Sequence, residues 1–249
     1  MPIGVIVNCL AVFFGGLLGA ALGNRIPERL RTALPLTFGA ASMGMGVNYI
    51  VKMHTLPAVV LALVIGAAIG ELIKFEKGIE WAAQRVRGPV ERLFTGSGRA
   101  KAEVAAANAG QEQREFMEKF VGILVLFCAS GTGIFGALNS GMTGDHTVLL
   151  AKSILDFFTA GIFAVALGYL VATIAIPQFV IFLTLFYSAS LILPLTTPPM
   201  IADFTALGGI IMLATGLRIS GIKPFPIANM LPSLLLVMPI THLWVTLIH

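Results

Sequence analysis

The sequence predicts an all-α, polytopic membrane protein of about eight transmembrane helices, with seven the alternative count. Three observations carry that expectation. Apolar residues come in runs of about twenty, the length that spans a bilayer at 1.5 Å rise per residue. Overall, 57% of the 249 residues are hydrophobic and only 11% are charged, against roughly 25% charged in a soluble domain. Lysine and arginine gather between the runs, as cytoplasmic loops require. A β-barrel would show alternation over about ten residues, and none is present. The excess of 16 basic over 12 acidic residues is dispersed among membrane segments, so it sets topology and gives no reason to expect nucleic acid. Cys9 and Cys128 each lie in an apolar run without a CxxC partner, so neither a disulfide framework nor a metal site is expected, and no cofactor.

The first helix spans residues 3 to 23. No basic residue precedes it, and Arg25, Arg29 and Arg31 follow it, which argues against a cleavable signal peptide and for an N-terminus outside. The second helix is expected over 33 to 51 and the third over 57 to 73. The segment from Lys74 to Lys119 holds nine of the basic residues and seven of the acids, so it is the one extended cytoplasmic excursion. Its first part spaces Phe75, Ile79, Ala82, Val86, Val90 and Leu93 by three and four, the pattern of an amphipathic helix on the membrane surface. Residues 95 to 113, rich in alanine, glycine and small polar side chains, read as a linker. The chain is thus a single transmembrane domain, 1 to 249, carrying this helix and linker over 74 to 116.

The fourth helix is expected over 116 to 138, with an external loop through Asp145. The apolar stretch from 148 to 195 is long enough for helices five and six, with Pro177-Gln178 as the hairpin between them. An external turn over 196 to 203 leads to helix seven, which ends near Leu217. Arg218 and Lys223 mark the cytoplasm again, and helix eight runs to His249, interrupted by Pro232 and Pro239. On this count 14 of the 16 basic residues are cytoplasmic, and both termini are external.

An internal repeat is expected to relate helices one and two to seven and eight. Gly15-Gly16, Gly23 and Arg25-Ile26 recur as Gly208-Gly209, Gly216 and Arg218-Ile219 at a constant offset of 193, as in many transporters. Gly15, Gly19 and Gly23 form one four-residue stripe and Gly66 with Gly70 another, which lets helix backbones approach closely.

Candidate polar sites are few. Lys152 and Asp156 stand four apart on helix five, on one face and near mid-bilayer. A charge at helix centre costs about 2.5 to 3.5 kcal/mol even on the lenient scale, so the pair should face protein or water. It is either a neutralising pair that orients helix five, with Ser153 bonding back to its own helix, or an ion or proton site. Asp145 is placed to cap helix five. Glu71, one turn before Lys74, pairs locally or relays protons. Asn8 and Asn48 read as buried amides joining helices. Pro224, Pro226 and Pro232 around Asn229 break the start of helix eight, which also suits a discontinuous transporter helix. No HxxxH, HExxH or phosphate-loop pattern occurs. Cys128-Ala129-Ser130-Gly131 approaches the GxSG of intramembrane proteases without a histidine to act as its base, so no enzyme is expected.

Gly15-Gly16 through Gly23-Asn24-Arg25-Ile26-Pro27-Glu28-Arg29-Leu30, Phe127-Cys128 through Gly136, Gly144-Asp145 with Lys152-Ser153 and Asp156, and Asn229-Met230-Leu231-Pro232 together resemble the bacterial inner-membrane family known as domain of unknown function 554, the YqgA-like proteins. The resemblance implies a multi-pass protein of the bacterial inner membrane and makes the segment from Gly144 to Asp156 a family hallmark. It implies no substrate.

Two function classes follow. One is a secondary transporter or channel for an ion or small solute, with a polar site between helices five, one and eight, Asp156 binding a cation or proton and Lys152 its counter-charge. The other is a scaffold or signalling protein that binds a cytoplasmic partner through 74 to 116. The expected partners are the lipid bilayer, an ion or small solute, and a second copy of the chain in a homodimer.

Overall fold

In the computed structural model of the chain, residues 1–25, 27–79, 81, 120 and 122–248 are described. The surface helix beyond residue 79 and the linker over 95 to 113 lie outside them. The described chain is all-helical: α1 (Ile3–Leu22), α2 (Glu28–Ile50), α3 (Leu56–Leu72), α4 (Gly131–Thr143), α5 (Thr147–Leu167), α6 (Leu170–Thr173), α7 (Ala175–Ile192), α8 (Pro198–Ile219), α9 (Ile227–Met230) and α10 (Pro232–Ile248). Residues 122–128 add two turns before α4, and α6 with α7, like α9 with α10, make single interrupted spans.

Six spans among the described residues are long and apolar enough to cross a bilayer, and α3 is a shorter apolar helix. The remaining one, α2, is 23 residues long but carries Glu28, Arg29 and Arg31 in its first turns. The directions of the packed helices agree with a crossing by α2. Gly15 of α1 lies against Phe157 O of α5 and Gly19 against Gly161 O, so both positions advance together and the two helices are parallel. Parallel helices require an odd number of crossings between them, which α2, α3 and the 122–143 span supply. Gly39 and Gly46 of α2 meet Gly216 and Gly209 of α8, and Gly66 and Gly70 of α3 meet Ser233 and Asn229. Both series run in opposite senses, as an even number of intervening crossings demands.

The 122–143 span and α8 form the centre, 72% buried each, whereas α1, α5 and the last span are 39% buried. The outer helices turn Leu10, Phe14, Leu18, Val64, Ile154, Val180 and Leu235 outward. Such an apolar exterior suits lipid and would be costly in water.

Several expected boundaries shift. The hairpin between helices five and six is not at Pro177-Gln178 but nine residues earlier, at Gly168-Tyr169, where Gly168 takes a φ of +63° and ends α5. Only glycine adopts that conformation without strain. Pro177 instead occupies the first turn of α7, where its missing N–H is harmless. The fourth span runs on past Asn139 to Thr143, capped by Gly144, and it is interrupted at Ala129-Ser130. α2 starts five residues before the expected Ala33, so Arg29 and Arg31 belong to its first turns. Gly23 does not pack: no atom lies near its hypothetical Cβ, and its φ of +49° ends α1. The glycines matched in the repeat meet different neighbours: Gly15 lies against the backbone of Phe157 and its match Gly208 against the Phe135 ring, while Gly16 meets Ala172 and its match Gly209 meets Gly46.

Asp203 falls inside α8 and not in a turn. Fully buried, it accepts hydrogen bonds from the backbone N–H of His54 and of Thr55, both 2.7 Å, and from Thr241 Oγ1 at 2.9 Å. The carboxylate thus holds the turn that leads into α3 and ties α3, α8 and α10 together at the end remote from Arg218. Asp203→Ala leaves these donors stranded and is expected to cost about 3 kcal/mol. A fall in the denaturation midpoint, smaller for Asp203→Asn, would show it.

Candidate functional site

The site is built on α5. Thr147 to Asp156 is nine residues, so Asp156 sits roughly 14 Å along a helix about 31 Å long, close to its middle. Lys152, one turn earlier, donates to both oxygens of Asp156 at 2.7 and 2.6 Å, and the two are only 5% and 6% exposed. Asn8 of α1 donates from Nδ2 to Asp156 Oδ2 at 2.9 Å. Gln178 of α7 donates from Nε2 to Asn8 Oδ1 at 2.9 Å and makes longer approaches, both 3.5 Å, to Asp156 Oδ2 and Phe127 O. Gln178 Oε1 is buried without a partner among the described residues. The acidic oxygens are therefore surrounded by donors from three helices, which supply the hydrogen bonds that water would otherwise give at this depth.

Across from the pair lies the interruption in the fourth span. Ser130 Oγ accepts from Gly133 N at 3.1 Å and so caps α4, leaving the first amides of α4 without helical partners near mid-span. A Cβ on Gly133 would come within 2.4 Å of Phe182 Cζ and 2.9 Å of Lys152 Cε. Glycine is what admits the lysine arm here. Lys152 Nζ also lies 5.7 Å from the centroid of the Phe127 ring.

A cavity of ≈ 280 Å³ reaches the pair, with Lys152, Asp156, Ser130, Thr132 and Arg218 on its wall. A second, of ≈ 370 Å³, is bordered by Glu76 and Gly122 and shares Leu126, Ser130, Phe163, Thr215, Arg218 and Ile219 with the first. The first cavity by itself has both the mid-span pair and Arg218 on its wall, and the second adjoins it at the Arg218 end. Asn8 and Gln178 are not on these walls; they hold Asp156 from behind.

The other candidates stand apart from this cluster. Ser153 bonds back to Leu149 O at 2.7 Å and does not touch the pair. Asp145 accepts from Thr147 N at 2.9 Å at the start of α5, the expected cap. Burial pushes its carboxyl up, but the Thr147 hydrogen bonds with Lys52 and His146 nearby outweigh that and leave it below its ordinary 3.8. Asn229 lies on α9 and belongs to a separate network at the Arg218 end. It donates to Glu71 Oε2 at 2.5 Å and accepts from Glu76 N at 2.8 Å, while Arg218 pairs with Glu76 at 2.8 Å. Glu71 thus pairs with Asn229 rather than with Lys74. The third helix of the polar site is α7, through Gln178, and not helix eight. Asn48 is exposed and joins no helices.

Sequence reasoning missed Gln178, because the proline before it suggested a turn. It also missed Ser130 and Asp203. A Ser followed by Gly-Thr-Gly inside an apolar run is a legible N-cap signal, while the tertiary role of Asp203 has no local signature.

The sequence profile described as "Protein of unknown function (DUF554)" matches residues 3–242. The chain belongs to the DUF554 family. Across 244 residues, 98% of both chains, it is 52% identical to an Escherichia coli K12 protein described as "Uncharacterized protein YqgA". It is 26% identical over 237 residues, 94% of this chain and 93% of the relative, to the "Uncharacterized membrane protein YdfK" of Bacillus subtilis 168. No solved structure matches. The description of the second relative agrees with the apolar spans, and the DUF554 chain is a membrane protein.

Proposed function

We propose that this protein is a secondary transporter or channel for an ion or small solute in the bacterial inner membrane, working through Lys152 and Asp156. The observation that carries the reading is a mid-span ion pair beside an interrupted helix, joined by cavities to one end of the bundle. A pair kept only to orient α5 needs neither the opening nor the break. Charged groups at this depth are costly and concentrate on solute pathways, and interrupted helices are how transporters present backbone groups to a solute. The basic residues around the open end, Arg25, Arg29, Arg31, Arg218 and Lys223, support its assignment to the cytoplasm.

The test is flux into proteoliposomes for a panel of inorganic ions, organic acids and amines. Wild type is expected to carry at least one of them, and the Lys152→Met/Asp156→Leu protein, still folded by gel filtration, to carry none. Silence of the wild type across the panel would overturn the proposal, as would undiminished flux in the double variant.

A further inference from the structure

We infer that the solute met by this cavity is a small organic anion, a monocarboxylate with a short apolar tail, held by the ammonium of Lys152. The inference rests on the transport reading above and narrows it.

Asp156 is poorly placed to receive a cation. Both its oxygens are taken by Lys152, and Asn8 and Gln178 add further donors to Oδ2. A metal or ammonium ion would have to expel the lysine from the position it would itself occupy. Lys152 is placed differently. Its Nζ carries three hydrogens, only Asp156 accepts from it among the described residues, and it stands on the cavity wall, 5% exposed. Among the described residues at least one N–H of the ammonium therefore has no hydrogen-bond acceptor, only the Phe127 ring at 5.7 Å, where a solute arriving from the Arg218 end would meet it.

The field around that donor has the same sign. Within the cavity Lys152 is balanced by Asp156, and at its mouth Arg218 is balanced by Glu76. Beyond these pairs, the N-terminal end of α4, thirteen residues long, adds its amides to the wall through Ser130 and Thr132, set against the C-terminal end of the shorter helical segment 122–128. The end of a helix carries about half a positive charge and favours anions. The same cavity is also lined by Phe38, Leu126, Leu155 and Phe163, an apolar surface for a hydrocarbon tail. A volume of ≈ 280 Å³ is at the small end for organic ligands.

The competing readings differ in the sign of one mutation. In the anion reading, Asp156 is an internal competitor for Lys152, so removing its charge frees the lysine and raises apparent affinity. In a cation reading the same change abolishes binding. The experiment measures radiolabelled butyrate and rubidium binding to the full chain in nanodiscs, together with flux of each in proteoliposomes. Butyrate is expected to bind wild type, to bind Asp156→Asn about tenfold more tightly, and not to bind Lys152→Gln. Rubidium is expected to do none of these. Rubidium flux that Asp156→Asn eliminates would leave the transport reading standing and sink this inference; no flux of any solute in the wider panel would sink both. Should Asp156→Asn fail to fold, wild type alone decides. Butyrate must raise its Tm with concentration at constant ionic strength, and equal shifts from chloride overturn the inference.

Discussion

Lys152→Met alone is expected to destabilise the protein by about 3 to 5 kcal/mol, because it leaves the Asp156 carboxylate uncompensated in a low-dielectric interior. Asp156→Leu alone should cost as much, since it strands the lysine ammonium and the Nδ2 of Asn8 together. The double variant Lys152→Met/Asp156→Leu should cost less than either. Its residual penalty, about 1 to 3 kcal/mol, is that of one buried amide donor without an acceptor. Attraction between the charges offsets their desolvation when the pair is whole, and neither half of that balance survives alone. Unfolding in detergent, read as a double-mutant cycle, measures the coupling. Independent, additive losses would show that the two side chains do not share one environment.

Gly19→Ala is the second change expected to act strongly. Its Cβ would fall 2.1 Å from Gly161 O and 2.5 Å from Gly161 Cα. Both are backbone atoms of α5 and cannot swing aside as a side chain would, so α1 and α5 must separate. Overpacking of this kind costs about 1 to 3 kcal/mol, and unyielding backbone puts Gly19 at the upper end. The separation should also reach the polar site, because Asn8 on the buried face of α1 reaches Asp156 across this interface. Gly44→Ala is the matching control. It lies in α2 with nothing near its Cβ position, so it should be neutral or gain up to about 1 kcal/mol from helix propensity. A Gly44 variant as damaged as the Gly19 variant would mean that glycine content, and not contact, sets the effect.

Much of this architecture was legible from the residues. Run length and the placement of arginines gave the bundle and its alternation, since both follow from the cost of exposing backbone and charge to hydrocarbon. The spacing of Lys152 and Asp156 placed them in reach because an i,i+4 relation is a property of one helix. What the pattern could not give was tertiary. Asn8, Asp156 and Gln178 are separated by 148 and 22 residues, and nothing local marks them as neighbours. Pro177 was misleading for a physical reason: proline is tolerated in a first helical turn as readily as in a hairpin, and the choice fell to Gly168. Helix α2 is polar enough to fail a hydropathy test, yet it crosses the bundle because it packs through Gly39 and Gly46 onto α8.

The position of the lysine and its carboxylate on one helix has a consequence for how the chain is made. A segment that enters the bilayer with two opposite charges one turn apart arrives electrically neutral and needs no other segment for its insertion. Had the partner been on α1 or α7, each charge would have crossed alone at about 2.5 to 3.5 kcal/mol. Asn8, synthesised long before either, carries no charge and can wait in the membrane until α5 and α7 arrive. The most expensive step in the biogenesis of the site is thereby confined to a single stretch of twenty-one residues.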